Sequence, residues 1–127
     1  MNATTSNRVL VLGPDGDAAV EFLAQMGLEP AVLETPTLGG LDSVRDVGYA
    51  VVMPAPGDEL AQMLAVGFLL ASVGKARMAL LAPADQALPP ALDGALRIAP
   101  DDSGMWQLLL AREMKRAGMD IDLNKAM

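Results

Sequence analysis

The sequence predicts an α/β fold in which a five-stranded parallel sheet, in the flavodoxin-like strand order 2-1-3-4-5, lies between two layers of helices. Three observations carry this. Short apolar runs recur along the chain, and turn-forming Gly, Pro or Asp residues punctuate the segments around them. Between the runs, apolar residues repeat at helical rather than strand spacing. The connections are short, so strands and helices alternate as they do when a parallel sheet carries helices on both faces.

Residues 1–7 are polar and read as a flexible tail. Arg8-Val9-Leu10-Val11-Leu12 is the first strand, closed by Gly13-Pro14. Ala19, Phe22, Leu23 and Met26 then mark a helix, with Asp15 or Asp17 available as its N-cap and Gly27 as its stop. Pro30 to Leu33 is the second strand. The Pro and Gly content of Glu34 to Gly40 reads as an exposed loop, and a short helix capped near Asp42 or Ser43 is expected after it. Tyr49 to Met53 is the third strand, after which Asp58 can cap a long helix that runs to Ser72 and closes at Gly74. Arg77 to Leu81 and Ala95 to Ile98 complete the sheet. The last helix is expected to start near Asp102, capped by Asp101 and Asp102, and to bury Trp106, Leu109, Leu110, Met114 and Ala117 on one face. Met119, Ile121 and Leu123 alternate with Asp120, Asp122 and Asn124, as in an extended strip laid along the body.

Composition narrows the function. A chain of 127 residues makes one domain with one core. Its residues are 52% hydrophobic but only 3% aromatic, so Ala, Val, Leu and nine Met must fill that core. A net charge of −7 repels phosphate backbones, and Lys75, Lys115 and Lys125 are scattered, which argues against a nucleic-acid partner. With no Cys and no His, thiolate chemistry, imidazole acid–base catalysis and the common zinc sites are excluded, and no metal site is expected. Neither a signal pattern nor a bilayer-length apolar run is present, so a cytoplasmic protein away from membranes is expected.

In an open parallel sheet, ligands sit beyond the carboxyl ends of the strands where the order reverses. That rule gathers Gly13, Asp15, Glu34, Pro36 and Gly39 as candidate cofactor-binding residues. Gly13-Pro14-Asp15-Gly16 follows a strand and opens a helix, but it lacks the GxGxxG spacing, and its acids oppose an anion. The long third helix departs from the usual pattern: only Gln62 and Ser72 interrupt LAQMLAVGFLLAS, so it must be covered on both sides. Leu60, Met63, Leu64, Phe68 and Leu70 are therefore the candidate interface, with Ala61, Gly67 and Ala71 permitting close approach in a homo-oligomer or against another protein.

The stretches IAPDDSGMWQLLLAREMKRAG and MDIDLNKAM closely resemble the end of a bacterial TIR-like domain family described as predicted nucleotide-binding proteins. Upstream, Leu23 to Pro30 resembles that family's helix-to-strand passage. Glu34-Thr35-Pro36 with Gly39 resembles its ExPxxG loop, and Gly67 to Lys75 resembles its GYFIGKLGR segment. The resemblance implies a TIR-like version of the same three-layer sandwich over residues 8–127. It also implies binding of NAD and cleavage of the bond to nicotinamide, through a Glu early in the third long helix.

Matching through Gly67 puts Ala65 at that Glu, and an alanine cannot stabilise an oxocarbenium-like charge. The family's HGHD reads Leu12-Gly13-Pro14-Asp15 here, and Gly40 replaces its basic residue after the loop. The expectation is a catalytically degenerate TIR-like domain that acts by protein association, with at most a weakened cleft for NAD or another nucleotide. The alternative is an active nucleotide glycohydrolase that uses Glu34 or Glu59 instead.

Overall fold

Arg8–Leu12 forms β1, which pairs in parallel on both sides, through all five residues with one neighbour and through Val9 to Leu12 with the other, and so lies inside the sheet. In the computed structural model, which describes residues 6–14, 16–54, 59–88, 90–100 and 103–126 (for Glu59 and Ala91 the backbone alone), the remaining strands are β2 (Glu29–Leu33), β3 (Tyr49–Val52), β4 (Met78–Leu81) and β5 (Leu96–Ile98). All pairings are parallel and the order is β2-β1-β3-β4-β5, as the alternation of elements predicts.

Strand side chains alternate between faces, so the sheet divides the core in two. Val9, Val11, Tyr49, Val51 and Ala79 face the layer made by α1 (Asp17–Gln25), α4 (Met105–Arg116) and the C-terminal strip. There the rings of Phe22 and Trp106 meet edge to face, 5.6 Å between centroids at 67°, a geometry worth about 0.5–1.5 kcal/mol beyond burial. Leu10, Leu12, Ala50, Val52, Met78 and Leu80 face the other layer, α2 (Leu38–Ser43) and α3 (Glu59–Ser72).

Several local expectations change. Asp17 is not the cap of α1: Gly16 occupies that position with no side-chain cap, and Asp17 is the first helical residue, where its charge complements the helix dipole. The helix expected after Asp42 begins earlier, within the stretch read as a loop, and ends at Ser43. Thr37 caps it, its hydroxyl accepting from the Gly40 amide at 3.0 Å, while Ser43 sits at the far end and donates to the Gly40 carbonyl.

Leu109 is not on the buried face of α4. It is 38% exposed, and Ala111 is buried in the core instead. The α4 start follows Gly104, and Asp101 and Asp102 lie outside the described residues, as does Asp58. The C-terminal strip buries Met119 and Ile121 as the alternation predicts, then closes in a 3-10 turn over Leu123–Ala126. At the other end, Ser6 and Asn7 are tied down rather than loose: the Ser6 hydroxyl accepts from Arg8, and the Asn7 carbonyl accepts from the Glu29 amide.

Helix α3 ends as its glycine predicts. Gly74, at φ 88°, donates its amide to the Leu69 carbonyl at 3.0 Å. Among the described residues the chain covers the inner side of α3, where Ala65 and Leu69 are buried and Met63, Val66 and Phe68 pack beside them, and leaves Leu60, Leu64 and Leu70 on the outer side exposed. No helix among the described residues is long and apolar enough to cross a membrane.

Candidate functional site

The order reversal between β1 and β3 produces a crevice of about 250 Å³ at their carboxyl ends. Gly13 and Pro14 form one wall, Glu34 to Pro36 a second, and Met53 with Ala61 and Gln62 of α3 a third. Gly13, Glu34 and Pro36 are thus brought together as the sequence predicts. Gly39 is exposed on α2 and does not line the crevice. Asp15 and the Glu59 side chain lie outside the described residues.

The backbone explains why this wall exists. Met53 donates its amide to the Leu12 carbonyl at 2.7 Å and Gly13 donates to the Leu33 carbonyl at 3.0 Å, so the end of β1 is sewn to both neighbours. Gly13 adopts φ 127°, and a β-carbon there would lie 2.3 Å from the Met53 carbonyl oxygen. Its amide is committed to the sheet edge and is not offered to a ligand.

The fit of a dinucleotide can be judged from this lining. The described walls carry no Lys or Arg, and Glu34 at the mouth opposes two phosphates. In sequence, the residues flanking this lining, Asp15 and Ala55-Pro56-Gly57-Asp58, include no Lys or Arg. The volume falls below the roughly 300–1,000 Å³ usual for small-molecule pockets. The described residues therefore do not fit NAD. Ala65, the position matched to the family's catalytic Glu, is fully buried under the sheet and does not reach the crevice.

The candidate interface separates into two groups. Leu60, Leu64 and Leu70 are 88%, 47% and 58% exposed. Met63 and Phe68 turn inward instead, half-buried against the core beneath α3. Gly67 and Ala71 take their place on the outer side, and an added β-carbon at Gly67 would meet nothing within 4 Å. The sequence pattern missed this division because a helix that is apolar all round has no polar face to orient it. Ala61 and Gln62 were missed for the same reason, although their position just after the β3 loop points to the crevice.

No family model matches the chain. It is similar to the uncharacterized protein YuaY of Escherichia coli (strain K12), with 25% identity over 142 aligned positions that cover 93% of this chain and 48% of that protein. The chain therefore spans about half the length of the curated relative it matches.

Proposed function

We propose that this chain is a catalytically degenerate TIR-like module that works by associating with a second copy of itself through α3, and not by turning over a nucleotide. The observation that carries the reading is the outer stripe of α3: Leu60, Leu64, Gly67, Leu70 and Ala71 face solvent, and no charged residue occurs from Leu60 to Gly74. Exposed leucines at these spacings make one continuous apolar seam, the kind of surface that marks an interaction site.

A second copy is the partner that suits the seam. Two chains of charge −7 repel each other over most orientations, and an uncharged stripe is where that repulsion is weakest. Gly67 and Ala71 remove the bulk that would hold two helix backbones apart, and a two-fold arrangement lets the same patch serve both copies. Covering the seam removes Leu60, Leu64 and Leu70 of each chain from water, at about 1–2 kcal/mol per leucine given their partial exposure.

Loss of catalysis is supported by the crevice, whose described lining lacks a cation for the phosphates, and by Ala65, which is buried and carries no ionisable group. Two experiments test the reading. Because the chain has no cysteine, Gly67→Cys should give a covalent dimer under mild oxidation as its only disulfide product; a monomer alone would contradict the seam. Incubation with NAD should release no nicotinamide, and release that disappears in Glu34→Ala would establish the glycohydrolase instead.

A further inference from the structure

A hollow of about 570 Å³ opens beside the crossover from β4 to β5. Among its described residues, 82–95 hold one 3-10 turn, Pro90–Leu92, where a doubly wound fold commonly has a crossover helix. Leu80, Leu88 and Leu92 give the hollow apolar walls, Gln86 and Asp93 are polar, and Arg97 supplies its one described cation.

Arg97 sits beside Leu80 in the β4–β5 register and so projects on the α2/α3 side of the sheet, where the apolar layer ends. Its Nη2 donates to the Pro83 carbonyl and, at 2.8 Å, to the Gln86 carbonyl, so it hooks the crossover to the strand. Its Nε is buried without an acceptor, and none of the ion pairs among the described residues involves it. A guanidinium stays charged at any physiological pH, and although Nε itself is closed off from the hollow, no described carboxylate forms an ion pair with the charge that Arg97 brings to its wall.

We propose that this hollow binds a small amphipathic carboxylate, with its carboxylate on Arg97 and its short hydrocarbon tail on Leu88 and Leu92. A guanidinium beside aliphatic walls matches one negative charge joined to an apolar chain. Asp93 on the rim disfavours a doubly charged phosphate. The site lies apart from the crevice and from the α3 seam, so it stands or falls independently of the association reading.

The test is a calorimetric and amide-shift titration of the intact chain with hexanoate, acetate, hexanol and inorganic phosphate. Hexanoate should bind saturably, with shifts centred on residues 86–97, and acetate, with four methylenes fewer, at least about tenfold more weakly. Arg97→Met should abolish hexanoate binding. Since that variant also releases the Pro83 and Gln86 carbonyls, Asp93→Asn is the second variant: it keeps the hook, removes the opposing charge, and should tighten binding about threefold. Failure of hexanoate to saturate, equal binding of hexanol, tighter binding of phosphate, or an Asp93→Asn variant no tighter than the parent would each overturn the proposal.

Discussion

The α-carbon of Gly13 lies against the backbone of Met53 so closely that a β-carbon on it would stand 2.3 Å from the Met53 carbonyl oxygen. This contact, made where β1 passes into the crevice wall, accounts for the glycine by packing and by its φ of 127°. Gly13→Ala should therefore destabilise the fold by roughly 2–5 kcal/mol, the sum of backbone strain and forced separation of two strands. Urea unfolding measures this, and a loss below about 0.5 kcal/mol, the range of ordinary surface substitutions, would show the contact to be absent.

Ala65 makes the complementary prediction. The resemblance suggests restoring the acid by Ala65→Glu, but the side chain would enter the apolar cluster between α3 and the sheet, where no described charged residue is buried. An unpaired buried carboxylate should cost about 3–5 kcal/mol and give no NAD cleavage. Retained stability together with nicotinamide release would contradict the placement of this residue.

Tyr49, at the start of β3, is the only tyrosine, so its titration can be followed without interference. Burial pushes its hydroxyl well above the ordinary phenol value of 10.0, and the negative charge of Glu113 on α4 raises it further. The native state holds a proton that the unfolded chain releases. Its contribution is therefore complete below the unfolded pKa and is lost as pH rises beyond it, at about 1.4 kcal/mol per pH unit. Phenolate absorbance should appear only with unfolding, and Tyr49→Phe should remove this component of alkaline sensitivity. A phenolate signal from the folded protein near its ordinary pKa would refute this.

Thr37→Ala should cost about 0.5–2 kcal/mol by removing the side-chain acceptor at the start of α2. Hydrogen exchange at the Gly40 amide is the direct readout. Unchanged protection there would show that the hydroxyl does not cap the helix.

These elements also show where the sequence is legible. Val9, Val11 and Leu10, Leu12 announce a strand buried on both faces, because strand alternation and apolar content speak together, and the parallel order follows from the connections. α2 was hidden because Pro36, Gly39 and Gly40 are turn residues by composition. Tertiary packing favours Gly40 there: a β-carbon would come within 2.5 Å of the Leu33 Cδ1 and 2.9 Å of the Thr37 hydroxyl, so those side chains would have to shift. Leu109 and Ala111 both fall near the border of the apolar arc of α4, and the adjoining strands decide which is buried. The crevice could be placed from topology alone, but its size and its spent Gly13 amide depend on how closely β1 and β3 approach. Arg97 carried no signal beyond a charge inside a short apolar run, and its meaning needs the crossover carbonyls that fold back onto it.

Sedimentation velocity on the parent chain and on Leu64→Glu tests the central claim most directly. Leu64 lies in the middle of the exposed seam and is 47% exposed, so a glutamate there leaves the monomer folded while placing a charge in the apolar contact. The account predicts a dimer for the parent and a folded monomer for Leu64→Glu. A parent that sediments as a monomer across the accessible concentration range, or a dimer unaffected by Leu64→Glu, would contradict it.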